Sequence, residues 1–207
     1  MCGIVGYIGR EHRAADVLID GLRRLEYRGY DSAGVAILEG DVLEVRRSEG
    51  KLVNLEANLR ERPLQGRLGI GHTRWATHGK PSERNAHPHR AGSVVIVHNG
   101  IIENYRELRA ELEGRGAEIS SDTDTELIAH LIDERIRDGR DLLTAVREAC
   151  GDLTGSYALA AICEHEPNLF VTAKHGGSPI IVGQAEKQAF LASDIPAVLP
   201  YIRDIIS

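Results

Sequence analysis

The sequence predicts an α+β layered fold with a largely antiparallel sheet or pair of sheets. Three observations carry that reading. Strand-like runs cluster at both ends of the 207 residues, helical periodicities fall between them, and several strands are joined by hairpin-length turns. No internal repeat, low-complexity stretch or Pro/Ser-rich linker divides the chain, so residues 1–207 read as one domain.

Gly3 to Ile8 is a short apolar run with β-branched residues ended by Gly9, the pattern of a buried strand. Ala14, Val17, Leu18, Leu22 and Leu25 then recur at helical spacing. After the polar loop EYRGYDSAG come two strand-like runs, VAILEG and VLEVRRS, around the turn Glu39-Gly40-Asp41. Lys51 to Arg60 reads as a short helix and Leu68 to His72 as another strand. Trp75 to Gly92 holds three His, two Pro and two Gly without periodicity, and irregular segments of that length are often functional. SVVIVHNG reads as a strand running into a turn, and Glu103 to Glu113 as an exposed helix. Thr123 and Glu126 have the spacing of a capping box, followed by one apolar helical face of Leu127, Ile128, Leu131 and Ile132. The C-terminal part alternates YALAAIC, NLFVTAK, PIIVG and AFLAS with turn residues.

Composition narrows the functional classes. The 42% hydrophobic and 27% charged residues are ordinary globular values, and the net charge of −6 argues against nucleic acid or an anionic membrane as partner. No apolar run approaches the ~20 residues of a bilayer span, and no basic segment precedes the first hydrophobic stretch as in a secretory signal. Three cysteines at scattered positions, Cys2, Cys150 and Cys163, form no disulfide framework or zinc pattern, which fits a reducing cytoplasm. Neither G-x-x-x-x-G-K-[ST] nor G-x-G-x-x-G occurs, so no cofactor is expected.

Cys2 carries the most chemical information. A small residue after the initiator Met favours methionine removal, which places a free α-amine within reach of the thiol. An amine of pKa ~7.7–8.0 can serve as base for a thiol of pKa ~8.5, the logic of an N-terminal nucleophile. The competing reading is a small buried hydrophobe at the start of a strand. Asn99-Gly100 reads either as a tight turn or as an oxyanion hole made by a side-chain amide and a backbone N–H. His72, His78, His87, His89 and His98 crowd into 27 residues, and His87 and His89 could bind zinc, so a metal-dependent hydrolase competes. Against it, no H-E-x-x-H accompanies them, and no metal ligand set is assigned. Asp122 and Asp124 could do no more than complement a helix dipole, and Arg28 and Arg74 could be surface groups.

Taken in order, MCGIVGYIG, LRRLEYRGYDSAG, GHTRWATHG, NAHPH, VHNGIIENY and SDTDTE resemble the glutaminase domain of the isomerising glutamine:fructose-6-phosphate amidotransferase family, from Cys2 to about residue 195. That family is similar to the class II glutamine amidotransferases. The resemblance implies an αββα four-layer sandwich of two largely antiparallel sheets, of the N-terminal-nucleophile hydrolase type. It implies L-glutamine as substrate and Cys2 as the nucleophile, with Asn99 and Gly100 as the oxyanion hole. Arg74 would hold the substrate carboxylate and Asp124 its ammonium, while Trp75, Thr77 and His78 line the pocket. Arg28 and His87 would shape the loops over the bound amide. It also implies a C-terminal sugar isomerase part, absent from these residues, that receives the ammonia and belongs to an enzyme in which a homodimer is among the expectations. A glutaminase serving another acceptor is the near alternative.

Overall fold

In a computed structural model, which describes residues 2–75 and 80–202 and the backbone of 204–206, two antiparallel sheets pack face to face between two layers of helices. Along the chain run β1 (Gly3–Gly9), α1 (Ala14–Arg24), β2 (Ser32–Glu39), β3 (Val42–Glu49), α2 (Leu52–Glu61), β4 (Leu68–Arg74), β5 (His89–Ala91) and β6 (Val94–Ile102). They are followed by α3 (Tyr105–Gly114), α4 (Asp124–Arg137), α5 (Leu142–Gly151), β7 (Gly155–Cys163), β8 (Val171–His175), β9 (Ile181–Ala185), β10 (Gln188–Ala192) and β11 (Asp204–Ile206). Among the described residues one sheet has the order β11-β9-β10-β1-β4-β2-β3 and the other β5-β6-β7-β8. None of the described helices is long and apolar enough to cross a membrane.

The period of two along the strands builds the layers, because alternate side chains leave opposite faces of a sheet. In β1, Val5 and Tyr7 pack with Val17, Leu18 and Leu22 of α1, whereas Ile4 joins the inter-sheet core. In β6, Val94 and Ile96 meet the α4 face of Leu127, Ile128, Leu131 and Ile132, whereas Val95 and Val97 face Ile4, Ile70 and Leu191. Each wholly buried Leu or Ile contributes about 1.5–3 kcal/mol relative to exposure. The sandwich is therefore held by three apolar layers, one between the sheets and one under each helical layer.

Three expectations need correction. The run ending in Asn99-Gly100 does not turn there. Instead β6 continues to Ile102 and pairs Gly100 with Tyr157 of β7, since Gly100 adopts φ +131 without leaving the ladder. The capping box does not close: Thr123 is the N-cap of α4 but makes no side-chain cap bond. The Glu126 carboxylate turns away to accept from the backbone N–H of Ser120 at 2.9 Å, the Ser120 hydroxyl at 2.7 Å and the N–H of Ser121 at 2.5 Å. Finally, the irregular stretch after Trp75 ends in the short strand β5. Helix α5 has no counterpart among the sequence expectations, although Leu142, Ala145, Val146 and Ala149 are spaced as one buried face and Asp141 caps its start through Thr144 N–H.

Candidate active site

Cys2 lies at the start of β1, a central strand of the larger sheet, and β6 is central in the smaller one, so the stacking of the sheets brings Cys2 to Asn99. The Asn99 Nδ2 donates to the Cys2 carbonyl oxygen at 3.0 Å. The Cys2 Sγ accepts from the Trp75 backbone N–H at 3.3 Å and donates to the Trp75 carbonyl at 3.6 Å. Burial pushes the thiol upward, and the Trp75 N–H and the Arg74 charge only partly offset it. A partly buried thiol of that kind is not a ready-made thiolate, so any attack by sulfur needs a base.

Cys2, Arg74, Trp75, His87, Gly100 and Asp124 line one small cleft. Arg74 ends β4 and is buried, whereas Trp75 is 47% exposed at the rim, edge-on to Tyr30. Asp124 opens α4, and its Oδ2 accepts from the Ile102 N–H at 2.9 Å, tying the end of β6 to the helix. Arg28 lies apart from the cleft lining, with its guanidinium 2.8 Å from the Asp194 carboxylate. Thr77 and His78 lie outside the described residues. A roomier groove runs between α1 and α2, but its charges are paired with one another, Arg13 with Asp16 and Arg23 with Glu56.

In and under the cleft wall, His72, His87, His89 and His98 are all buried, with the His72 and His87 rings stacked at 4.1 Å between centroids. Burial holds His72 and His89 neutral, pushed down to about 3, and lowers His87 and His98 as well. One ring nitrogen of each hydrogen-bonds within the fold. The Thr125 hydroxyl lies 2.8 Å from His87 Nε2 and 2.9 Å from His98 Nδ1, and Thr123 Oγ1 is 3.1 Å from His89 Nε2. Among the described residues no group of three or more His, Cys, Asp or Glu side chains is arranged to hold a metal ion. These four described histidines form a packed, neutral cluster.

His98 of the histidine cluster also lines the cleft, as do Thr123 and Thr125, neither of which the sequence nominates. Their signal is the alternation of small polar residues in SDTDTE, which places Thr123 and Thr125 on either side of Asp124 at the helix start.

The glutamine amidotransferase domain family matches residues 72–200 of the chain. A glutamine–fructose-6-phosphate aminotransferase (isomerizing) from Symbiobacterium thermophilum is 56% identical over 208 residues, covering 100% of this chain and 34% of its own length. The protein of the same name from Clostridium tetani is 54% identical over 99% of this chain and 33% of its own length. The chain thus spans about a third of the length of the curated relatives it matches. Among solved structures, glutamine phosphoribosylpyrophosphate amidotransferase from B. subtilis, complexed with ADP and GMP, superposes with TM-score 0.82 at 29% identity. That match covers 95% of this chain and 43% of the other. With its sandwich of antiparallel sheets and its matched residues, the chain belongs to the glutamine amidotransferase domain family.

Proposed function

We propose that this chain hydrolyses the side-chain amide of L-glutamine through a Cys2 thioester. The observation that carries the reading is a cleft in which Cys2, at the start of β1, lies with Gly100 of β6, Arg74 and Asp124, while Asn99 bonds to the Cys2 carbonyl. Removal of Met1 frees the Cys2 α-amine, which takes the thiol proton as sulfur attacks the amide carbon. The carbonyl oxygen becomes an oxyanion, received by the Asn99 amide and the Gly100 N–H. As the tetrahedral intermediate collapses, the ammonium returns its proton to the leaving nitrogen and ammonia departs. Water then cleaves the thioester to glutamate and restores the thiol.

Substrate selection follows from charge. Arg74 offers a planar fork to the α-carboxylate, and Asp124 a carboxylate to the α-ammonium. Trp75 and His87 line the pocket beside them, the family resemblance adds Thr77 and His78, and Arg28 braces the adjoining loop through Asp194. Residues 1–207 act as the glutaminase domain of a longer enzyme. Relatives at 50–56% identity are named for fructose 6-phosphate, which supports a C-terminal sugar isomerase part as recipient of the ammonia. The three free cysteines fit a cytoplasmic setting.

Cys2→Ala and Cys2→Ser test the reading. Both should fold and bind glutamine while releasing almost no glutamate, because a hydroxyl is far harder to activate than a thiol. Substantial turnover by folded Cys2→Ala would remove Cys2 from the mechanism.

A further inference from the structure

We propose that His72 positions the oxyanion hole by fixing which way the Asn99 side-chain amide faces. The inference rests on the glutaminase reading, since it assigns a role within that same site.

His72 pairs with Ile4 of β1 and Gly34 of β2, so its ring leaves the larger sheet on the Ile4 face, toward the smaller sheet. There its Nε2 lies 3.1 Å from the His98 carbonyl oxygen and 2.9 Å from Asn99 Oδ1. A backbone carbonyl can only accept, so Nε2 carries the proton and donates. The Asn99 atom facing that N–H must then be its oxygen. From the other side the Cys2 carbonyl, again only an acceptor, requires the Asn99 nitrogen at 3.0 Å. Two obligate acceptors and one histidine proton thus pin the amide in a single orientation. The Asn99 NH2 group has two hydrogens, one held by Cys2, which leaves the second for a substrate oxygen.

The ring itself has little freedom. It is wholly buried and stacked on His87, and its Nδ1 has no hydrogen-bond partner among the described residues, as suits the unprotonated nitrogen of the Nε2–H tautomer. Without the His72 donor, Asn99 Oδ1 loses the contact that resists rotation of the amide. The donor aimed at the oxyanion is then lost for part of the time.

The test compares His72→Gln, His72→Asn and His72→Phe in the 207-residue chain, alone and with Asn99→Ala. A glutamine side chain can place its amide N–H where histidine places Nε2, whereas asparagine is too short and phenylalanine keeps the ring without a donor. Losing one oxyanion donor costs about 10²–10³-fold in rate. His72→Phe and His72→Asn should therefore lose about 10²-fold in kcat with glutamine KM changed less than about threefold, while His72→Gln stays within about tenfold of the parent. In the Asn99→Ala background His72→Phe should cause no further loss, because residues acting as one unit are not additive.

A merely structural His72 would rank the variants by melting temperature and add its loss to that of Asn99→Ala. Equal kcat for folded His72→Gln and His72→Asn, or additive losses, would overturn the proposal, and that pair decides the matter even if His72→Phe does not fold. Parental kcat in Asn99→Ala would instead remove the oxyanion assignment beneath it.

Discussion

Gly100→Ala tests whether the end of β6 is held in a conformation only glycine supplies. Gly100 has φ +131, in a region that residues with a Cβ avoid at a cost of about 1–3 kcal/mol. A Cβ there would also lie 2.1 Å from the Ser156 carbonyl oxygen and 2.7 Å from the Tyr157 Cα, both backbone of β7. Neither atom can swing aside as a side-chain tip could, so β6 and β7 must part by roughly an ångström, an overpacking cost of about 1–3 kcal/mol. The two effects together come to about 4 kcal/mol, or roughly 8–16 °C in melting temperature for a domain of this size. Gly40→Ala is the control. That residue has φ +62 in a hairpin turn, and nothing lies within 4 Å of where its new methyl group would sit, so it should lose only the backbone cost, about 1–2 kcal/mol. Thermal unfolding by circular dichroism reads both, and glutamate release from the folded fraction of Gly100→Ala should fall as its N–H moves. A melting temperature for Gly100→Ala equal to that of Gly40→Ala would refute the collision argument.

Arg74→Lys should raise the Michaelis constant for glutamine at least about tenfold, because a point-like ammonium cannot make two parallel bonds to a carboxylate, and an unaltered constant would take Arg74 out of substrate binding. Stability should fall on mild acidification. His72 and His89 are held neutral down to about 3 in the fold but take up protons near pH 6.5 when unfolded. Their contribution is therefore complete above about pH 6.5 and is lost as pH falls toward 3, with a slope approaching about 1.4 kcal/mol per pH unit for each. Urea unfolding between about pH 8 and pH 5 measures this, and a flat profile would show that the histidines are not buried as described.

Most strands and the α1 and α4 faces were legible because burial on one side imposes a strict period on apolar residues. The pairing of those strands into two stacked sheets came from the motif resemblance, since periodicity says which face is apolar but not what covers it. The continuation of β6 through Asn99-Gly100 was hidden because that dipeptide is common in turns, and φ +131 inside a ladder leaves no mark in composition. Glu126 has the spacing of a capping box, yet Ser120 and Ser121 offer it three donors at once and outcompete Thr123. At the site, residue chemistry alone could nominate Cys2 but not separate it from a buried hydrophobe. The histidine spacing left zinc binding open as an alternative to packing and hydrogen bonding, and the partners of His72, His87 and His98 could be read only from the stacking and the bonds to Thr125 and Asn99.

In the proposed reaction Cys2 is a nucleophile served by its own amine. A glutamine analogue with a diazoketone in place of the amide measures this most directly, through intact mass and peptide mapping of the labelled chain. One label is expected, on Cys2, sparing Cys150 and Cys163, because of the three cysteines only Cys2 shares a cleft with Arg74 and Gly100. Chelators should leave the labelling unchanged. Chains that keep Met1 should label about 10²–10⁴-fold more slowly than processed chains, since their Cys2 amine is tied up in a peptide bond and gives no general-base help. Label on another cysteine, or equal rates for processed and Met1-bearing chains, would contradict it.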